Sequence, residues 1–153
     1  MRKVRGLPPF EDTISAALLS AKESVVAPMR PTLLHYSITE PQWRVMRIIN
    51  DRGAVDAKQL ADLALLHAPS ITRILRLLEA RDLIERRLDE YDRRRFVVVL
   101  TEEGFNVVKE ISEDVKHYMR EYSSLFGPER LERLLNELHA LSAVLKGVEQ
   151  RRE

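Results

Sequence analysis

Two short helical patterns separated by a tight turn constrain the fold of this chain more than any other feature. Asp56 is a good N-cap for a helix from Ala57 to about Leu65, and a second helix is predicted from Pro69 to about Arg81. One side of the second helix is apolar, with Ile71, Ile74, Leu75 and Leu78. Its other side carries Ser70, Thr72, Arg73 and Arg76. Two short helices joined in this way are typical of a helix-turn-helix.

A hairpin is predicted directly after the second helix. Segments Leu83–Arg87 and Phe96–Thr101 favour strands, and they flank a turn-like segment, Leu88–Arg95. A hairpin in this position is a wing. The turn ends on three consecutive arginines, Arg93, Arg94 and Arg95. Because neighbouring residues of a strand point to opposite faces, these arginines are not expected to share one role.

Helical patterns flank this unit and predict an α+β, mainly α, chain. A first helix is predicted from Glu11 to about His35, bent or interrupted at Pro28 and Pro31. The capping box Thr39-Glu40-Pro41-Gln42 begins a helix that runs to about Asn50 and is ended by Gly53.

Two long C-terminal helices are predicted on either side of Gly127-Pro128. They and the first helix carry more apolar surface than one small winged domain can cover, which favours a helical dimerisation layer. The predicted organisation is a flexible basic arm (1–10), a dimerisation helix (11–36), a winged helix-turn-helix domain (37–101) and C-terminal dimerisation helices (102–153).

Composition narrows the possible functions. The chain of 153 residues has no cysteine, which excludes disulfides and thiolate metal sites, and its net charge of +1 decides nothing about nucleic acid. The basic N-terminus lacks the apolar region of a signal peptide, so a cytoplasmic protein is expected. The four histidines lie in different segments without metal-ligand spacing, and no catalytic or phosphate-binding motif is present. We therefore expect no enzyme activity, no cofactor and no resident metal.

The wing segment resembles the signature of the MarR (multiple antibiotic resistance regulator) family. The matching residues are Leu83-Ile84-x-Arg86, Asp92-x-Arg94 and Val99-Leu100-Thr101-x-x-Gly104, and the resemblance extends over about residues 11–148. Within the family, the stretch from Thr39 to Arg47, with Arg30-Pro31 and Ala17-Leu18-Leu19, is similar to regulators of homoprotocatechuate-degradation operons. Asp82 departs from the glycine usual in the family, but aspartate tolerates the left-handed conformation better than most residues.

The resemblance and the free face of the second short helix together predict a DNA-binding surface. Its predicted members are Lys58, His67, Ser70, Thr72, Arg73, Arg76, Arg93 and Arg94. Arg73 is expected to contact guanine in the major groove, and the family pattern places Arg94 in the minor groove. Asp92 is expected to pair with an arginine and brace the turn, while Arg95 is as well suited to an intramolecular pair as to DNA. Ala68 is a poor N-cap, which would leave the first N–H groups of the helix for a phosphate.

A second predicted site is a cleft for a small anionic aromatic effector, lined by Ser20, Arg30, His35, Trp43 and Arg47. An indole can stack on a ring, and an arginine can hold a carboxylate bidentately. The competing interpretation is a packed tryptophan with arginines on the surface.

These features predict a homodimeric DNA-binding repressor of an aromatic-acid catabolic operon, released from a pseudo-palindromic operator by its ligand. Two alternatives remain at this stage. One is a MarR-type regulator that answers an antibiotic or a metal, and the other is a winged-helix module for protein interaction.

Overall fold

The computed structural model describes residues 6–90, 92 and 94–149. Arg93, predicted to bind DNA, lies outside the described residues, as do residues 1–5 of the predicted arm. The helices are α1 (Ile14–Val26), α2 (Arg30–His35), α3 (Glu40–Arg52), α4 (Ala57–Ala64), α5 (Ala68–Glu79), α6 (Glu102–Phe126) and α7 (Pro128–Glu149). The strands are β1 (Ile84–Leu88) and β2 (Phe96–Leu100). The chain divides into two compact units, Met1–Asp114 and Val115–Glu153.

The predicted first helix is divided where its prolines stand. Thr13 caps α1 by accepting a hydrogen bond from the amide of Ala16 at 3.2 Å. A short 3-10 turn, Ala27–Met29, contains Pro28 and separates α1 from α2, which has Pro31 in its first turn. Because proline lacks a backbone donor, both positions suit the start of a helix rather than its interior.

Capping boxes begin the next two helices, at the predicted box of Thr39 and at the predicted N-cap Asp56. At the start of α3, the amide of Gln42 donates to the hydroxyl oxygen of Thr39 at 3.4 Å, and the amide of Thr39 donates to the side-chain oxygen of Gln42 at 2.8 Å. Asp56 and Gln59 do the same for α4, at 2.8 and 3.4 Å. The last residue of α3 is Arg52, two residues after the predicted end near Asn50. Gly53 ends the helix as predicted, with a φ of 79°.

The helix-turn-helix formed by α4 and α5 is confirmed, with one correction at its turn. The N-cap of α5 is His67 rather than Ala68, and the helix ends at Glu79 rather than near Arg81. The helix was expected to begin without a side-chain cap because Ala68 is a poor N-cap. It does begin without one, but at His67, whose side chain makes no capping hydrogen bond. Ile71, Leu75 and Leu78 are buried, and the moderately exposed Ile74 completes the predicted stripe.

The predicted hairpin forms a two-stranded antiparallel sheet, here called the wing, whose strands differ by one residue at their ends from the predicted ones. The register runs from Ile84 opposite Leu100 to Leu88 opposite Phe96. Val55 adds a bridge to Val98, through backbone hydrogen bonds of 2.8 and 3.1 Å. The wing is thereby attached to the segment between α3 and α4.

The turn from α5 into β1 depends on Asp82, which adopts the expected left-handed conformation with a φ of 54°. Its carbonyl accepts a hydrogen bond of 2.6 Å from the hydroxyl of Thr101, and the same hydroxyl oxygen accepts one from the amide of Gly104. The start of α6 therefore packs against this turn. Arg81, just before it, donates hydrogen bonds of 2.8 and 2.6 Å to the carbonyls of Tyr36 and Ser37 at the end of α2.

The first unit contains the core, and the apolar stripe of α6 is buried only along the first part of the helix. Val108 and Ile111 are buried, whereas Met119 and Leu125, farther along the predicted stripe, are 58% and 80% exposed. In the second unit, Gly127 has a φ of 93° between α6 and α7, and Arg130 stacks over the ring of Phe126 at 4.4 Å. No helix among the described residues is long and apolar enough to cross a membrane.

Candidate functional site

The outer face of α5 presents the polar side chains predicted from its sequence. The helix is strongly amphipathic, so burying its apolar stripe leaves four residues exposed, Ser70, Thr72, Arg73 and Arg76. Thr72 bonds back to the carbonyl of Ala68 at 3.1 Å. Within the described part of the chain, neither Arg73 nor Arg76 forms an ion pair. Both guanidinium groups are thus available to an external anion.

The start of α5 adds a second feature to this face. His67 makes no side-chain capping hydrogen bond and Pro69 has no backbone donor, while the amide of Ser70 donates to the carbonyl of His67 at 2.9 Å. The positive end of the helix dipole attracts negative charge at this point. His67 and Lys58, the latter in the first turn of α4, are both exposed.

The wing turn is organised by its aspartates. The amide of Asp92 donates to the carboxylate of Asp89 at 3.0 Å, and the amide of Asp89 donates to the carbonyl of Arg95 at 2.9 Å. Asp92 accepts hydrogen bonds from the backbone and the guanidinium of Arg94, at 3.1 and 3.3 Å. The expectation that Asp92 pairs with an arginine is therefore confirmed.

Arg94 and Arg95 are placed in different surroundings. The side chain of Arg94 is 92% exposed. Arg95 instead forms an ion pair with Asp56, the N-cap of α4, in the intramolecular role foreseen as one of two possibilities. Its partner is 39 residues away, so the sequence offered no local signal for the choice.

A cavity of about 590 Å³ opens beside α2 and the start of α3. It is lined by Ala27, Arg30, Pro31, Leu33, Leu34, Ile38, Thr39 and Glu40. The lining is largely apolar, with a guanidinium and a carboxylate at its edge. Of the five residues predicted to bind an effector, Arg30 belongs to this lining.

Arg30 already holds a carboxylate in the bidentate manner predicted for a ligand. Its two terminal nitrogens donate to the two oxygens of Glu23, at 2.6 and 2.8 Å. This hydrogen bonding raises the pKa of Arg30 and lowers the pKa of Glu23 from their ordinary values. Both side chains are more than half exposed, so the pair is open to exchange with another anion.

The other predicted effector residues lie outside this lining. Trp43 is buried in α3 at 6% exposure, as the competing interpretation of a packed tryptophan anticipated. Arg47 lies one turn farther along the same side of α3 and pairs with Asp51 at 3.1 Å. His35 stacks edge-on against Tyr36 at 4.9 Å, and the carbonyl of Ser20 accepts a hydrogen bond from Ser24.

Two hydroxyl groups, of Thr32 in α2 and of Tyr36 at its C-cap, connect this segment to α6. Tyr36 donates to Glu110 at 2.7 Å, and Thr32 donates to Asp114 at 2.6 Å. The first of these bonds is the main reason why the pKa of Tyr36 is raised. These contacts and those of Arg81 were not predicted, because their partners are distant in the sequence.

Comparisons with known proteins agree on one family. The model of the MarR family matches residues 38–96. The HTH-type transcriptional regulator FarR of Neisseria gonorrhoeae is 33% identical over 132 residues, covering 86% of this chain and 90% of FarR. The homoprotocatechuate degradative operon repressor of Escherichia coli is 29% identical, covering 88% and 91%. The crystal structure of NadR in complex with 4-hydroxyphenylacetate superposes with a TM-score of 0.78 at 32% identity, covering 89% and 96%.

Proposed function

Because this chain belongs to the MarR family of transcriptional regulators, we propose that it is a homodimeric repressor that a small aromatic acid releases from its operator. The DNA-binding part of this proposal rests on two groups of exposed arginines within the first unit. Arg73 and Arg76 are exposed on α5, and Arg94 is exposed on the wing. A helix for the major groove and a wing for the minor groove are what this arrangement supplies.

The predicted DNA-binding residues divide into those that contact bases and those that contact phosphates. Arg73 contacts guanine, and Arg94 enters the minor groove after exchanging Asp92 for the negative potential of the DNA. Phosphates are contacted by Lys58, His67, Arg76 and Arg93, and either phosphates or base edges by Ser70 and Thr72. The positive end of the α5 dipole adds an attraction to phosphate.

The dimer is proposed from apolar side chains that the described residues leave uncovered. On α1 these include Ile14, Leu18, Leu19 and Val25, and in the second unit they include Met119, Leu125, Leu134, Leu135, Val144 and Leu145. A second copy of the chain would bury these side chains in a two-fold interface. Two-fold symmetry implies a pseudo-palindromic operator with half-sites about one DNA turn apart.

The effector is proposed to be a small aromatic carboxylate bound beside α2. The apolar lining of the cavity suits a ring, and Arg30 would exchange Glu23 for the carboxylate of the ligand. Trp43 and Arg47 lie one helical turn apart on α3, outside this lining. They supply the indole and the second arginine of the predicted effector group. The complex of NadR with 4-hydroxyphenylacetate and the homoprotocatechuate operon repressor support this chemical class.

To test the DNA-binding part, labelled duplexes that bind the wild-type protein are first selected from a random pool. They are then titrated with the wild-type protein, Arg73→Ala and Arg94→Ala. Arg73→Ala should weaken binding by about 1–3 kcal/mol and relax one base position. Arg94→Ala should reduce the slope of log K against log salt by about one. Arg52→Ala, at an exposed arginine outside the predicted set, is the matched control. Unchanged affinity and base preference for Arg73→Ala would contradict its role.

The effector is tested by thermal shift and operator release with phenolic and indolic acids, beginning with 4-hydroxyphenylacetate. Arg30→Gln should lose the response to an active acid, whereas Arg52→Gln should keep it. If the panel contains no acid whose effect depends on an arginine, the proposed ligand class is wrong. DNA binding would then still stand on the first experiment.

A further inference from the structure

Asp56 uses its two carboxylate oxygens for two different partners. Oδ1 accepts the capping hydrogen bond from the amide of Gln59 at 2.8 Å, and Oδ2 accepts from the guanidinium of Arg95. Only 14% of the Asp56 side chain is exposed, against 54% for Arg95. The capping carboxylate of α4 therefore also holds the end of the wing turn. A partly buried anion with both oxygens occupied is a fixed anchor, since releasing it would uncap the helix.

The wing is attached to the segment before α4 at two neighbouring points. The backbone of Val55 pairs with Val98 in the middle of β2, and the next residue, Asp56, holds Arg95, just before that strand. Ile84, Val97 and Val98 are buried at the base of the wing, but a two-stranded hairpin has little stability of its own, so its turn could still pivot about that base. The second attachment, three residues nearer the turn, restricts that pivot.

Arg95 also belongs to the turn through its backbone. Its amide donates to the carbonyl of Asp92, and its carbonyl accepts from the amide of Asp89, both at 2.9 Å. The next residue toward the tip, Arg94, has its side chain in solvent. We propose that the Asp56–Arg95 pair is a strut between α4 and the wing, and that Arg95 is a positioning residue that presents Arg94 to DNA. This inference rests on the DNA-binding function proposed above.

The other ion pairs of the wing do not duplicate this strut. Arg87 pairs with Glu85 within the same strand, so it joins no two elements. Arg86 pairs with Glu79 at 3.4 Å, near the base of the wing rather than at its turn. Among the residues that the structure describes, Asp56–Arg95 is the ion pair that connects the wing turn to α4.

The experiment uses Asp56→Asn, Arg95→Gln and Arg95→Lys in the full chain, with Arg87→Gln as the matched control. Asparagine retains the capping acceptor and removes the charge, so Asp56→Asn tests the ion pair apart from the helix cap. Hydrogen exchange without DNA should be roughly two- to five-fold faster at the amides of Asp89 and Arg95 in Asp56→Asn and Arg95→Gln. Arg95→Lys should restore part of the protection, and Arg87→Gln should match wild type.

Binding to a mixed-sequence DNA duplex as a function of salt then tests the positioning role. Removing a carboxylate near DNA should strengthen binding through simple electrostatics, but loss of the strut predicts that Asp56→Asn weakens it roughly two- to five-fold. Arg95→Gln should weaken binding to the same extent with the wild-type salt slope, because Arg95 releases no counterion. Arg94→Ala, in contrast, should reduce that slope by about one.

Three results would overturn the proposal. Unchanged exchange in Asp56→Asn and Arg95→Gln would show that no strut operates, and tighter binding by Asp56→Asn would show that the strut does not position Arg94. A slope reduced by about one in Arg95→Gln would make Arg95 a phosphate contact. Failure of the wild-type chain to bind duplex DNA is a separate result, which would refute the proposed function and the positioning role together.

Discussion

Replacing Gly104 by alanine is expected to destabilise the protein, although alanine is the better residue for a helix. Gly104 lies in the first turn of α6 and is buried. A Cβ atom added there would lie 1.9 Å from the carbonyl oxygen of Leu83 and 2.8 Å from its carbonyl carbon. Ordinary contact begins at 3.4 Å, so α6 and the backbone of Leu83 would have to separate by about 1.5 Å.

The cost of that separation follows from what holds Leu83. Its amide donates to Leu78 at 3.0 Å, and its carbonyl accepts from Thr101 at 3.2 Å. Overpacking in a buried region costs about 1–3 kcal/mol, and a strained or lost hydrogen bond adds about 1 kcal/mol. Helix propensity returns about 1 kcal/mol. We therefore expect Gly104→Ala to lower the free energy of unfolding by about 1–3 kcal/mol, or Tm by about 2–12 °C.

The assay is thermal and urea unfolding at one fixed protein concentration, because the proposed dimer would make Tm depend on concentration. Gly147→Ala is the matched control, since its Cβ would meet no described atom within 4 Å. That variant should be neutral or up to about 1 kcal/mol more stable. If Gly104→Ala were as stable as Gly147→Ala, the close approach of α6 to Leu83 would be refuted.

Two further predictions concern the same unit. Asp82→Gly should raise the free energy of unfolding by about 0.5–1 kcal/mol, because glycine adopts the φ of 54° without strain, and an unchanged or lower value in urea unfolding would contradict this. The pKa of Tyr36 is raised chiefly by its hydrogen bond to Glu110, so that bond stabilises the fold below the unfolded pKa of about 10 and is lost as pH rises through the folded value. Spectrophotometric titration of tyrosine should therefore show a late-ionising group that Tyr36→Phe removes, and an identical curve for the variant would refute the assignment.

The sequence predicted features whose physical cause is local. A capping box needs only residues three positions apart, so that of α3 was predicted at Thr39, and Asp56 was predicted as the N-cap of α4. The amphipathic period of α5 and the β-rich strands of the wing are also written within one element. The left-handed conformation of Asp82 was expected from the family resemblance, because glycine is usual at that position. Small errors remained at element ends, such as the N-cap of α5, because helix ends depend on backbone geometry as well as residue type.

The same locality explains what the tertiary structure alone decided. Strand alternation and the family spacing indicated that the consecutive arginines differ. Only the fold brings Asp56 close to the wing, where it pairs with Arg95 and leaves Arg94 exposed. The proposed effector residues show this most clearly. They share a suitable chemistry, yet Arg30 lines the cavity beside α2 while Trp43 packs into the core. Periodicity determines which face of a helix a residue occupies, whereas the packing of elements distant in the chain determines what that face meets.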